Sequence, residues 1–334
     1  MSDTESWDQA RLWLKDARAV LVVAGAGFSA GLSMQDDDGW EGIPRPPKGG
    51  GMDWARAYDS AEEMWGREGP RLLRTIRGWC RLTNTAYSSL QTLLEGKPHF
   101  IFTSNVDHRF HNAGYDPERI YTPQGTMPTL QCSVPCSGVG IPAEPALAKL
   151  IDGGGINESS WRVDKAELLP RCPNCGSTAY KWTRHNELFT HGPADAGQAK
   201  MIQWLRKQHG DGLVVLEVGC GMSTPSVCRF PAEAIARDLQ ARLVRVSYDA
   251  SDAQVPRDLA DAGRAVSCVG TSEAAMLYLA QLGPMPAADP EGNRGFNSYG
   301  QFIGNNIRFA PAHVGWEEWL GYLRDDPQRF AQRA

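Results

Sequence analysis

A continuous apolar run, Val20-Leu21-Val22-Val23, feeds the glycine turn Gly25-Ala26-Gly27-Phe28-Ser29. No other feature narrows the fold as much. A strand with one wet face alternates apolar and polar residues, whereas an uninterrupted β-branched run fits a strand covered on both faces, as in a parallel sheet. Similar runs recur at Phe100-Ile101-Phe102, Leu213-Val214-Val215-Leu216 and Leu243-Val244-Arg245-Val246, with a weaker one from Val266 to Val269. Helix-like stretches lie between them, notably Ala86 to Leu94 and Ala232 to Ala241. Trp7, Ala10, Leu14 and Ala17 recur at helical spacing and predict a first helix over Ser2 to Ala17. Strands alternating with helices predict an α/β fold: a Rossmann-like, doubly wound parallel sheet.

The strand signals stop between Cys132 and His209, where the chain is polar and rich in Pro and Gly. That stretch reads as an inserted module. The expected organisation is a discontinuous Rossmann-like domain over 1–131 and 210–283, a small module over 132–209, and a C-terminal extension over 284–334. A final helix is expected around Trp316, Trp319 and Leu323, and a loop over Gly42 to Gly51.

The module holds two cysteine pairs, Cys132-Ser-Val-Pro-Cys136 and Cys172-Pro-Asn-Cys175-Gly176. Four thiolates can surround Zn²⁺ tetrahedrally, and a site so closed is structural. The second pair has the form of a knuckle, in which the glycine permits a tight turn that points amides at sulfur. The remaining cysteines, Cys80, Cys220, Cys228 and Cys268, lie in apolar contexts and read as buried thiols.

Three polar or glycine-rich turns follow strands. In the first, Gly25, Ala26, Gly27 and Ser29 let backbone amides approach a pyrophosphate, and a following helix N-terminus would favour its charge. A tight turn with no ligand is the plain alternative. The second is Thr103-Ser104-Asn105-Val106-Asp107, at the strand end where such sheets bind ligands. Asn105 can orient water or a sugar hydroxyl, and Asp107 can accept from an amide; an ordinary turn is again the alternative. The third is Gly219-Cys220-Gly221-Met222-Ser223-Thr224-Pro225, a second glycine turn expected on the same edge of the sheet.

Composition removes other classes. The formal net charge is −5 and there is no basic stripe, so nucleic acid is not an expected partner. No stretch approaches the roughly 20 apolar residues that span a bilayer. The first ten residues are polar and acidic, unlike a signal peptide, and the expected location is the cytoplasm.

Taken in order, these pieces resemble the sirtuins: Gly25-Ala26-Gly27-Phe28-Ser29, then Thr103-x-Asn105-x-Asp107 with Ala113-Gly114, then Gln124-Gly125, the cysteine pairs, and Gly219 to Pro225. The resemblance covers roughly residues 18 to 280. It implies NAD as a consumed co-substrate, structural zinc on Cys132, Cys136, Cys172 and Cys175, and cofactor contacts from Gly25, Ala26, Gly27, Ser29, Gly219, Gly221, Ser223, Thr224 and Ser247. It also implies Asn105, Asp107 and Gln124 as the reacting-centre residues. Three departures matter, one of them that the glycine after Ser29 comes early, at Gly31. The arginine-bearing motif after the first glycine turn is absent, with Met34-Gln35-Asp36-Asp37-Asp38 in its place, and the family's catalytic histidine aligns with Gln124. An amide is not a base near neutral pH, so the general-base step of a deacylase, typically worth about 10²–10⁴-fold, is lost.

A microbial, macrodomain-linked branch of the family looks closer. It carries Asn-Val-Asp-His, as in Asn105 to His108, a Gln at position 124, a Cys-x-x-x-Cys first pair and Thr-Pro after the glycine turn. That resemblance implies ADP-ribosyl transfer with nicotinamide release to a protein acceptor, notably a lipoyl-carrier protein. Lysine deacylation with His108 or His111 as base, NAD hydrolysis, and non-catalytic NAD sensing are the rival readings.

Overall fold

The computed structural model describes residues 3–32, 42–46, 58–184, 188–222 and 225–286. Helix α1 (Asp3–Asp16) buries Trp7, Ala10, Trp13 and Leu14 along one stripe. Strand β1 (Ala19–Ala24) follows. Helix α2 (Ala61–Arg77) is capped by the Ser60 side chain, which accepts from the Glu63 amide, and α3 (Thr85–Leu94) is capped by Asn84. Then come β2 (His99–Thr103), α4 (Arg109–Asn112) and β3 (Ile120–Tyr121). The chain leaves the sheet through β4 (Gly125–Cys132), β5 (Ile141–Pro142), α5 (Ala143–Asp152), β6 (Ile156–Asn157), β7 (Arg162–Val163) and β8 (Ala179–Thr183). It returns through α6 (Gly192–Leu205), β9 (Leu213–Val218), α7 (Arg229–Asp238), β10 (Arg242–Ser247), α8 (Ala250–Ala253), α9 (Arg257–Asp261), β11 (Ala265–Val269) and α10 (Ser272–Leu279).

The main sheet has six strands in the order β11-β10-β9-β1-β2-β3, and every neighbouring pair is parallel. The doubly wound α/β expectation is borne out. The uninterrupted run of β1 has a direct cause. Val20, Val22 and Ala24 face one apolar core with α1, α3 and α10, while Ala19, Leu21 and Val23 face another with α6 and α7. Both sides of the pleat are dry, so an unpaired polar side chain is costly at any position of β1. The chain winds outward from β1 in both directions, and the order reverses between β1 and β9. Open sheets bind ligands beyond the carboxyl ends of strands at such a switch point.

Buried within the sheet, Arg245 on β10 sits opposite Glu217 on β9. Its Nε and Nη2 each donate to a Glu217 carboxylate oxygen at 2.7 Å. Glu233 from α7 takes a further bond from Arg245 Nη2 at 2.8 Å. Paired geometry of this kind is what permits an arginine inside a strand that otherwise reads as apolar.

The smaller part of the molecule is a three-stranded sheet, β5-β4-β8, antiparallel in both pairings, with the separate hairpin β6-β7 beside it. A third core gathers Trp65, Leu72 and Leu73 from α2 with Leu130, Leu147, Leu150 and Ala179. Helix α2 approaches the hairpin backbone to backbone: a Cβ on Gly66 would lie 2.3 Å from the Trp161 carbonyl oxygen. Strands β5 to β7 are two residues each, too short for any periodicity; β8, Ala179–Thr183, is five residues long and corrects the expectation that strands are missing between Cys132 and His209, its mixed sequence Ala-Tyr-Lys-Trp-Thr lacking the continuous apolar run of the main-sheet strands. Among the described residues, no helix is long and apolar enough to cross a membrane.

Candidate functional site

The two glycine turns emerge from adjacent strands, β1 and β9, at the switch point. They touch. The Gly27 amide donates to the Gly219 carbonyl at 3.0 Å, and the Gly25 amide to that of Val218 at 3.0 Å. A Cβ on Gly25 would lie 2.4 Å from the Gly219 oxygen, and one on Gly219, whose φ is +68°, would lie 2.4 Å from the Gly27 carbonyl carbon. These glycines allow two chain segments to meet, which the sequence did not reveal. A ligand can lie over the joined turns but not between these backbones. The chain after Gly25 forms a 3₁₀ turn, Ala26–Ser29, rather than the α-helix N-terminus expected from sequence. Ala26 is exposed on that turn and Ser29 is buried. Gly221 lies further along the second turn, where an added Cβ would sit 3.0 Å from Asp252 Oδ2. Ser223 and Thr224 lie outside the described residues, as do Met34 to Asp38, His185, and the tail from 287 onward with its expected helix.

The loop after β2 is built around Ser29. The Thr103 hydroxyl donates to the Ala24 carbonyl at 2.9 Å and accepts the Asn105 amide at 3.0 Å. Asn105 Nδ2 then donates to Ser29 Oγ at 3.1 Å, and Ser29 Oγ donates to Asp107 Oδ2 at 2.7 Å. Tyr87 Oη lies 2.8 Å from the same serine oxygen. A hydroxyl has one proton. With that proton on Asp107, Tyr87 must be the donor in its pair. Burial raises the Tyr87 phenol, with the Asp107 charge acting the same way, so it stays protonated. Ser29 is thus saturated, with two donors in and one bond out. The structure brings Ser29, Asn105 and Asp107 together.

Asp107 is turned inward. Its Oδ1 accepts the Arg109 amide at 3.1 Å, and its Oδ2 lies 3.8 Å from the Arg109 guanidinium. Arg109 is wholly buried. It donates twice to the Trp79 carbonyl, at 3.0 and 2.9 Å, and lies 4.4 Å from the centre of the Trp79 ring. Arg109 and Tyr87 carry no sequence signal, since neither belongs to a motif. His108 and His111 stack at 4.0 Å with their planes 5° apart. His108 has a left-handed backbone, φ +61°, and its Nδ1 is buried with no hydrogen-bond partner among the described residues. Burial lowers both imidazoles, His111 to about 4, with His108 as a secondary cause.

Gln124 is held by its backbone. Its carbonyl accepts the Arg184 amide at 2.9 Å. The next residue, Gly125, has φ +79°, and a Cβ there would lie 2.1 Å from the Trp182 carbonyl oxygen. Three residues on, the Met127 amide donates to the Val106 carbonyl at 2.8 Å, which ties this segment to the loop of Asn105 and Asp107. The side-chain Nε2 of Gln124 is buried with no hydrogen-bond partner among the described residues. Ser247 ends β10 and is buried; the neighbouring Asp249 accepts the Ser251 amide and hydroxyl and caps α8, which is a turn role.

The four module cysteines converge. Their sulfurs all lie within 4.8 Å of one another, with Cys132 to Cys175 at 3.5 Å, Cys132 to Cys136 at 3.7 Å and Cys136 to Cys172 at 3.5 Å. A tetrahedral ion with bonds of about 2.3 Å separates its sulfurs by about 3.8 Å, so the site fits Zn²⁺. The knuckle turns as expected: Gly176 has φ +74° and its amide donates to the Cys172 carbonyl at 2.9 Å. Amides of Cys175 and Asn174 hold the Cys172 thiol below its usual value, and hydrogen bonds from Ser177 bring Cys175 to about 6. The other four cysteines are buried, and no further metal-ligating cluster occurs among the described residues.

No protein-family model matches the chain. It is 32% identical over 270 residues to a probable bifunctional ADP-ribose hydrolase/ADP-ribosyltransferase of Fusarium oxysporum f. sp. cubense, covering 76% of this chain and 44% of that protein. The chain therefore spans less than half the length of that relative. It is 26% identical over 243 residues to a protein ADP-ribosyltransferase of Staphylococcus aureus (strain Mu50), covering 70% of this chain and 75% of the relative. Among solved structures it is similar to a Sir2 homologue–NAD complex, with TM-score 0.51, 17% identity, and 82% and 92% of the two chains covered. It is also similar to Sir2Tm bound to a propionylated peptide, with TM-score 0.53, 19% identity, and 85% and 100% covered.

Proposed function

We propose, from the premise that this chain belongs to the sirtuin fold family and has ADP-ribosyltransferases as relatives, that it consumes NAD and transfers ADP-ribose to a protein. One observation carries the choice of transfer over deacylation. The residue at the family's basic position is Gln124, whose side-chain amide is buried and unpartnered beside the loop of Asn105 and Asp107. An amide donor suits a ribose hydroxyl as acceptor and cannot remove its proton. His108 and His111 are poor substitutes, because burial holds both toward the neutral, weakly basic form. Structures of the fold with bound peptides support a protein as the acceptor.

In this reading NAD lies over the joined glycine turns, with Gly25, Ala26, Gly27, Gly219, Gly221, Ser223 and Thr224 toward its phosphates and Ser247 toward a ribose. Asn105 orients the nicotinamide ribose or a water. Asp107, with both oxygens engaged by Ser29 and Arg109, acts by holding that loop in shape. The glycosidic bond to nicotinamide breaks, and its electron pair leaves with the ring and neutralises it. An acceptor side chain bonds to the anomeric carbon and gives up its proton. Zinc, on Cys132, Cys136, Cys172 and Cys175, stabilises the module and takes no part in the reaction. The resemblance to the macrodomain-linked branch points to a lipoyl-carrier protein as acceptor.

The test is nicotinamide release from NAD by wild type and Gln124→His, with and without an acyl-lysine peptide. Release without deacylated peptide supports transfer or hydrolysis, and label from NAD appearing on an added protein selects transfer. Deacylation by the wild type overturns the reading of Gln124. Asn105→Ala should cut release at least 100-fold with stability little changed, and retained turnover removes Asn105 from the reacting centre.

A further inference from the structure

The side-chain amide of Asn105 has a donor end and an acceptor end. Which end it offers a ligand follows from the bonds around Ser29. Ser29 spends its one proton on Asp107 Oδ2, at 2.7 Å, so toward every other neighbour its oxygen only accepts. Asn105 therefore turns Nδ2 to Ser29, at 3.1 Å. The opposite setting would press two acceptor oxygens together. Asn105 Oδ1 has no hydrogen-bond partner among the described residues. The second lone pair of Ser29 takes the Tyr87 hydroxyl, at 2.8 Å. Ser29 lies on a 3₁₀ turn, and Asn105 and Asp107 lie in a loop. Tyr87 stands in the first turn of α3. Its ring meets Phe28 edge to face at 4.9 Å and Phe110 at 5.1 Å, so the aim of its hydroxyl is fixed by packing.

We infer that Tyr87 is a positioning residue for the reaction, acting through Ser29 to hold Asn105 with its carbonyl oxygen toward the substrate. Two effects carry this. Donation from Tyr87 polarises the Ser29 hydroxyl and strengthens its bond to Asp107, which keeps the serine proton from turning to Asn105 Oδ1. Without the phenol, one serine lone pair is left empty in a buried site, and a serine side chain has other staggered settings to adopt. Asn105 would then lose the partner that fixes its amide. The consequence for the ligand is definite. Asn105 acts as an acceptor, so the group it orients must donate, as a ribose hydroxyl or a water does. The inference rests on the reading that places Asn105 at the reacting centre.

Nicotinamide release is measured over a range of NAD concentrations with the full zinc-loaded chain, together with thermal melting. Tyr87→Phe should lower kcat about tenfold and leave the KM for NAD within about twofold. Tyr115→Phe removes another buried hydroxyl, one that donates to the Tyr87 carbonyl at 2.7 Å rather than to Ser29; it should lower the melting temperature comparably and leave kcat unchanged. In a Ser29→Ala background, Tyr87→Phe should cost less than about twofold more, because the phenol then has no route to Asn105, whereas a merely structural role would cost the same in both backgrounds. If Tyr87→Phe fails to fold, Ser29→Cys leaves Tyr87 in place, makes the shared acceptor a weak one, and should lower kcat at least as far with KM held. Wild-type kcat in Tyr87→Phe or in Ser29→Cys, an equal loss in Tyr115→Phe, or an equal loss in the Ser29→Ala background overturns the inference. The two possible failures are separable. Turnover retained in Asn105→Ala removes the placement of Asn105 and this inference with it. Release abolished in Asn105→Ala but undiminished in Tyr87→Phe removes only the role of Tyr87.

Discussion

Every residue of β1 and of β9 is buried, whereas β5 at the edge of the small sheet has two residues and neither is buried. The parallel sheet is stabilised from both faces by the layers that cover it. The small sheet has three strands, backs onto one core, and gathers four sulfurs at its outer end. Three strands with one apolar face are near the lower limit of independent stability, and a closed metal site supplies what the missing second layer does not. The lesson is that stability in this molecule is regional. One region rests on burial on both faces of its sheet, and the other on a single core together with a closed four-cysteine site.

The largest expected effect breaks that comparison directly. Stripping zinc with a strong chelator, or replacing Cys172 with Ser, should unfold the region around β4, β5 and β8 while the main sheet persists. In peptides such sites contribute about 10–16 kcal/mol at neutral pH, more than this region can recover by packing. Hydrogen exchange resolves the two parts. Amides of β4 and β8 should lose protection and those of β1 and β9 should keep it. Uniform loss would mean that the two sheets form one cooperative unit and that the contrast is wrong.

The next effect lies in the main sheet and involves no metal. Gly219→Ala places a methyl 2.4 Å from the Gly27 backbone at φ +68°, so both the conformation and the contact are violated. A loss of about 3 kcal/mol or more is expected in urea unfolding, with zinc content unchanged. An equal loss from Gly263→Ala would argue against it: Gly263 has φ +66° but nothing within 4 Å of its added Cβ, so it tests strain without contact and should cost about 1 kcal/mol.

Acid should touch the two regions for different reasons. Burial holds His111 at about 4 in the folded chain, against about 6.5 unfolded. Above pH 6.5 both states are neutral and the residue has no effect on the pH profile. As pH falls from 6.5 toward 4, the unfolded chain takes up a proton that the fold refuses, and stability is lost by up to about 2–3 kcal/mol. His111→Gln should flatten that limb of the melting curve. Protonation of the zinc thiolates also destabilises in acid, so the limb should shallow in the variant without disappearing. An unchanged limb would assign all acid sensitivity to the metal end.

What the sequence disclosed divides along the same line. The strand runs were legible because a strand buried on both faces is apolar at nearly every position, the paired Glu217 and Arg245 being exceptions, and all five appear within the main sheet. The two cysteine pairs were legible because metal ligands repeat at short spacing. Strand β3 and strands β5 to β7 were not, since two residues carry no period. In the candidate site, Ser29, Asn105 and Asp107 lie in motifs, but the partners that lock them do not. Tyr87 reaches Ser29 across 58 residues of sequence, and the Arg109 fork closes on a carbonyl 30 residues away. Contacts of that span depend on the finished fold. The meeting of Gly25 and Gly27 with Gly219 is not legible in the sequence for the same reason, and because each glycine turn also fits a phosphate cradle.

The smallest expected effect sets one residue type in both regions. Cys268 is buried on β11, and burial pushes its thiol up to about 12, so in the fold it is a small apolar group with a weak donor to the Ser6 carbonyl. Cys268→Ala removes one sulfur from a core covered by α1 and α10 and should cost about 1 kcal/mol, with bound zinc and the exchange pattern of β4 and β8 unchanged. The four zinc thiols act through charge and geometry, so Cys172→Ala should empty the site whatever apolar volume it preserves. Bound metal per chain, measured for both variants after identical purification, decides between these roles. Equal zinc in the two would mean that Cys172 is a packing residue like Cys268, and the small sheet would then need a different source of stability.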